Sequence, residues 1–125
     1  METKRTLTLG ELIALFEGQP EDNSVIFDFG KFTPSGIDSY RGYYNHLALG
    51  YSEDAPYAKV MDVVDMLKMA VGKTFIGYKG GEFPMDLETP VWAANYGKDT
   101  QTKIVSLFAD GPFTVIETAY SSLFD

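Results

Sequence analysis

An α+β fold, a mostly antiparallel sheet with two helices packed on one face, is predicted by three features of the sequence. Two segments carry apolar residues at helical spacing between cap and stop signals. Short stretches of alternating apolar and polar residues crowd the second half. The resulting order, α-β-β-α and then several β, separates helices from strands instead of alternating them as a parallel α/β chain does. The 125 residues, 45% hydrophobic and 22% charged, suit one domain over residues 1–125 with a core of its own.

The first helix is predicted over Leu9–Glu17. Thr8 and Glu11 make a Thr-x-x-Glu capping box, and Leu7 and Leu12 are spaced for a hydrophobic staple. Leu12, Ile13, Leu15 and Phe16 form its apolar face, and Gly18 and Pro20 stop it. Ser24–Phe29 reads as a strand through Val25, Phe27 and Phe29. Gly30–Asn45 has no clear period and reads as a long loop, of a length that is usually functional when ordered. His46–Ser52 alternates, with Leu47, Leu49 and Tyr51 on one face.

Asp54-Ala55-Pro56 is expected to open the second helix, with proline near its first position, and Gly72 to end it. Met61, Met66 and Met69 read as core filling in a nearly continuous apolar stripe. Thr74–Tyr78, the Gly80-Gly81 pair and Glu82–Met85 suggest a hairpin. Pro90–Tyr96, Lys103–Phe108 and Phe113–Ala119 read as a terminal meander, with turns at Gly97–Asp99 and Asp110-Gly111.

Composition excludes several chemistries. With no cysteine and the single histidine His46, the chain has no disulfide, thiolate metal site, cysteine nucleophile or His–His metal motif. No apolar run approaches the ~20 residues of a membrane span, and no signal-peptide core stands at the N-terminus, so the expected setting is the cytosol. A net charge of −8 disfavours direct nucleic-acid binding and anionic membranes. It serves solubility, or a surface that imitates nucleic acid.

Two windows escape the acidity. Phe29–Ser52 holds one acid, Asp38, against Lys31 and Arg41, together with Phe29, Phe32, Tyr40, Tyr43, Tyr44 and Tyr51. Gly72–Gly81 holds Lys73 and Lys79 and no acid. In Tyr40-Arg41-Gly42-Tyr43-Tyr44, arginine offers a planar fork to phosphate or carboxylate, tyrosines offer flat faces, and glycine permits close approach. The alternatives are an arginine stacked on tyrosines to stiffen the loop, or a protein contact. In Tyr78-Lys79-Gly80-Gly81, lysine and exposed amides suit an anion, but the P-loop pattern is absent and a glycine-demanding hairpin turn is the more ordinary use of the pair. Trp92 reads as core or as a binding-site wall. His46, with Asp28 and Asp38 flanking the tyrosine-rich loop, offers only a weak acid/base signal. Asp62 and Asp65 read as the solvated face of the second helix.

Phe27-Asp28-Phe29-Gly30, Ser39-Tyr40-Arg41-Gly42-Tyr43-Tyr44, His46-Leu47-Ala48-Leu49-Gly50-Tyr51, Gly77-Tyr78-Lys79-Gly80-Gly81-Glu82-Phe83 and Pro90-Val91-Trp92 resemble small, poorly characterised proteins of bacteriophages and prophages. The resemblance covers Leu9 to about Val105. It implies the host cytoplasm and a role against bacterial defence, either sequestering a nucleotide-derived immune signal or blocking a defence effector. It carries over no catalytic residue.

The expectation is a non-enzymatic binding protein for a small anionic, nucleotide-like ligand, using Tyr40, Arg41, Tyr43, Tyr44, Tyr78, Lys79, Gly80 and Gly81, without metal or cofactor. The alternative is an acidic inhibitor of a bacterial defence protein. A homo-oligomer is expected, because a small chain encloses little by itself, Phe113–Ala119 reads as an edge strand, and Leu123-Phe124 forms an apolar tail.

Overall fold

The computed structural model describes residues 5–40, 43–53, 56–76, 80–94 and 101–121. It opens with α1 (Leu9–Glu17), bounded as its caps predict. The Glu11 amide donates to the Thr8 hydroxyl and the Thr8 amide to the Glu11 carboxylate. The Arg5 guanidinium, 2.6 and 2.5 Å from the two Glu11 oxygens, holds that carboxyl down at about 2. Leu9, Leu12, Ile13 and Phe16 are buried, while Leu15 stays exposed.

Next come β1 (Ser24–Phe27), β2 (Thr33–Tyr40) and β3 (Tyr43–Ser52), then α2 (Val60–Ala70). A hairpin of β4 (Thr74–Ile76) and β5 (Glu82–Pro84) follows, and then β6 (Val91–Ala93), β7 (Gln101–Asp110) and β8 (Phe113–Ser121). The main sheet runs β1-β8-β7-β6-β3-β2, and β4 and β5 form a second, two-stranded sheet. The α+β class therefore holds, but the main sheet is mixed. β1 lies parallel to β8, and β3 parallel to β6. Both pairs join segments distant in sequence, and residue alternation carries no information about strand direction. The terminal meander of β6, β7 and β8 forms as expected. Gly111 (φ 59°) followed by Pro112 makes the two-residue turn between Asp110 and Phe113, as a type II′ hairpin requires.

Four expectations change. The long loop Gly30–Asn45 contains β2 and the start of β3. Its Pro34, Ser35, Gly36 and Ser39 are weak strand formers, and β2 tolerates them as an end strand with a register shift between Pro34 and Gly36. The second helix begins at Val60, because the preceding residues are held extended: the Val25 amide donates to Ala58 O, and Ser24 bridges Lys59. Met61 and Met69 point to solvent, 46% and 75% exposed, and only Met66 packs on the core. β8 is no edge strand, since β1 and β7 flank it. The Gly97–Asp99 turn and the Leu123-Phe124 tail lie outside the described residues.

One face of the sheet, the core face, packs on both helices through Val25, Phe27, Leu47, Leu49, Val91, Ala93, Ile104 and Ile116. β1 and β2, the two ends of the strand order, are chain neighbours. The Phe27 amide donates to Phe32 O at 2.9 Å, and the buried Thr33 hydroxyl donates to Val25 O at 2.7 Å while accepting from the Ala58 amide at 2.9 Å. The sheet thus curls until its ends meet. Thr33→Val keeps the volume and strands both backbone partners. The expected loss is about 1–3 kcal/mol, read as a lower urea midpoint at unchanged slope. A loss within experimental error would show that the hydroxyl is not the clasp.

Candidate functional site

The far face of the sheet, opposite the helices, carries a second cluster of Tyr40, Ala48 and Trp92, with Ala94 packed against it. Strand register builds it. Asp38 pairs with Ala48, Ala48 with Trp92, Trp92 with Lys103 and Lys103 with Ala119. Directly opposed residues share a face, so these five form one row across the sheet. The pairing steps from Ser39↔Leu47 to Tyr40↔Tyr43, leaving Tyr44, Asn45 and His46 as extra residues on β3. His46 sits in this bulge beside Trp92. The Trp92 indole N–H donates to His46 Nδ1 at 3.0 Å, and the rings lie 13° apart with centroids at 6.2 Å. Tyr40 stacks on Trp92 at 5.0 Å and 13°.

Of the residues singled out by sequence, Tyr40, Gly80 and Gly81 fall within the described side chains and backbone. Arg41, Tyr78 and Lys79 lie outside the described residues, and so do the side chains of Tyr43 and Tyr44. Tyr40 is fully buried, so it has no exposed ring face for a base. Gly80 has φ 84°, which favours glycine at the hairpin turn. The β4–β5 hairpin is fixed from below, where Phe75 and Phe83 pack on the core cluster. Tyr40 and this hairpin are thus anchored to different clusters. Asp28 does structural work: its carboxylate accepts from the Thr118 amide at 2.8 Å and the Thr118 hydroxyl at 2.6 Å. Asp38 accepts from the Ser39 amide. Asp62 and Asp65 are exposed, as expected.

Sequence reasoning passed over Lys103. It is only 6% exposed and lies opposite Trp92. The signal that identifies it is register, which a single sequence does not display.

Burial lowers the His46 pKa from its ordinary value of 6.5. Geometry agrees, because an indole only donates, and an imidazolium has no lone pair to receive it. Neutral His46 is favoured in the folded state, so its stabilising bond is complete above about pH 6.5 and is lost as pH falls through the lowered folded value. Trp92 is the single tryptophan and therefore the reporter. Its emission is expected to change with a midpoint below about 6.5, and His46→Phe is expected to abolish that transition. A flat wild-type titration between about pH 7.5 and about pH 4.5 would contradict the assignment.

Among the described residues, no group of three or more His, Asp or Glu side chains is placed to hold a metal ion. No described helix is long and apolar enough to cross a membrane. Comparison with protein-family models, curated proteins and solved structures returns no match.

Proposed function

We propose that the protein is a non-enzymatic binding protein that captures a small anionic, nucleotide-like ligand. The observation that supports this most is the burial of Tyr40 against Trp92. It fixes Tyr40 at the end of β2, the residue that directly precedes Arg41 in the chain, and a fixed group has less freedom to lose on binding. Arg41 meets the anion, Tyr43 or Tyr44 covers the base, and Lys79 with the Gly80-Gly81 amides completes the site. In the phage setting that the sequence resemblance implies, the ligand is a bacterial immune signal captured in the host cytoplasm. A homo-oligomer belongs to the same reading, since two copies enclose a ligand that one copy covers in part. Light scattering above the 13.9 kDa of one chain tests that part.

Titration calorimetry with cyclic and linear nucleotides tests the reading. Wild type binds, and Arg41→Lys weakens binding about tenfold or more, because the charge stays while the two-pronged geometry goes. No binding of any nucleotide at high micromolar concentration overturns it.

A second reading, an acidic inhibitor of a defence protein, draws on the exposure of Asp62, Asp65, Asp86 and Glu88. It requires a complex whose association slows steeply with salt. Salt-independent binding that survives reversal of these four charges removes it.

A further inference from the structure

Helix α2 carries methionine where an amphipathic helix ordinarily carries charge. Val60, Val63, Leu67 and Ala70 form its buried side. Met61, Asp65 and Met69 follow at i, i+4 and i+8, so they share the opposite stripe, and all three are exposed. The two methionines stand about 12 Å apart, two turns of helix. The charge around this ridge is one-sided. Asp62 and Asp65 are exposed on α2 itself. Glu21 and Asp22, also exposed, lie at its N-terminal end, where the Met61 amide donates to Glu21 O at 3.2 Å. Among the described residues none of these four carboxylates forms an ion pair, and Asp62 accepts from the Lys59 amide at 3.3 Å. The two bases beside them are engaged. The Lys68 ammonium lies 3.0 Å from Glu17, and that of Lys59 reaches the Ser24 hydroxyl at 3.5 Å.

Shape and charge select the occupant. The outer side of a helix is convex and encloses no small molecule. A second copy is disfavoured, because a two-fold axis through the middle of the stripe sets Asp65 against its own image. We infer that the ridge Met61–Asp65–Met69 docks a basic amphipathic helix of a partner protein. Apolar side chains two turns apart on that helix cover the two methionines, and Lys or Arg between and beside them meets Asp65, Asp62 and the Glu21-Asp22 corner. Methionine suits this role, since its unbranched, polarizable side chain adapts to the surface it meets. The inference rests on the second reading above, the acidic inhibitor, and gives it a docking face and the chemistry of the partner segment.

The probe is a synthetic peptide of leucine and lysine about 18 residues long, long enough to form a helix, with its leucines on one face. The controls are the same composition scrambled and a leucine–glutamate version. Binding is read by calorimetry and by the methionine methyl resonances. Wild type binds the amphipathic peptide and neither control. The Met61 and Met69 resonances shift, and that of Met85, 1% exposed, stays. Met61→Gln with Met69→Gln weakens binding about tenfold or more, because the apolar cover goes while glutamine keeps the helix, and the melting temperature is unchanged. Asp65→Asn weakens binding about threefold, whereas Glu88→Gln, in the segment before β6, leaves it near wild type. The scrambled peptide binding as tightly as the amphipathic one, or the double glutamine variant binding like wild type, overturns the ridge and leaves the acidic-inhibitor reading standing, since charge alone then suffices. Self-association that the double variant abolishes makes a second copy the occupant and overturns it too. No binding at high micromolar peptide, or unmoved Met61 and Met69 resonances at saturation, overturns the ridge even if the double variant fails to fold. Failure of the salt test above removes the second reading and the ridge with it.

Discussion

Phe27→Ala is expected to lower stability by about 3–5 kcal/mol, a large share of the roughly 5–15 kcal/mol that holds a domain of this size folded. Phe27 is 1% exposed and lies where the curled sheet meets itself. Its ring stacks on Phe29 at 4.9 Å and meets Tyr51 edge-on at 5.3 Å. Phe29, Phe32 and Tyr51 also contact one another at 5.1 to 5.6 Å. Alanine removes the buried member of this set and leaves a void that the β1–β8 ladder cannot close without moving the strand. Urea unfolding should show a lower midpoint at constant slope. Phe27→Leu, which fills most of the volume, should lose less than about half as much. A loss below about 1 kcal/mol for the alanine variant would mean that the end of the sheet is not packed as described.

Tyr40→Ala is expected to have a comparable effect, about 3–4 kcal/mol by the same large-to-small argument, with a second signature. The Tyr40 ring covers one face of Trp92, so its removal wets the indole and shifts tryptophan emission to the red. On the proposed anionic-ligand reading, in which Arg41 follows Tyr40 directly in the chain, nucleotide affinity is expected to fall as well, although Tyr40 itself is fully buried. Tyr40→Phe keeps the stack and should keep both stability and emission near wild type. Arg41→Lys completes the comparison, because it should change affinity without changing the melt. An alanine variant with unaltered emission would dissociate the two rings.

The legible part of the fold is the part encoded locally. Thr8, Glu11, Gly18 and Pro20 sit within a few residues of the helix they bound, and α1 runs from Leu9 to Glu17 as read. Asp110 to Phe113 likewise contain their own turn. The start of α2 was obscured because tertiary hydrogen bonds hold Ala58 and Lys59 along β1, against the local preference of Pro56. β2 was obscured because Pro34, Ser35 and Gly36 are acceptable only at the end of a sheet, and position in a sheet is decided by other segments. The same holds for the candidate site. Composition drew attention to Tyr40 and Arg41, but Lys103 became visible only when β6 and β7 were aligned and Trp92 appeared opposite it. His46 and Trp92 were each noted singly. Their hydrogen bond depends on three extra residues in β3, which no local pattern announces.

The parallel pairing of β1 with β8 also sets a timetable. β1 precedes every other described strand in the chain and has no main-sheet partner except β8, which follows all of them. Until β8 emerges, a nascent chain therefore carries the β8-facing edge of β1 unpaired, an edge of the kind that aggregates. Loop closure between β1 and β8, with every other described strand between them, also places refolding among the slower small domains, on the order of milliseconds to seconds. On the ribosome, completion of β8, rather than formation of either helix, decides when this sheet can close.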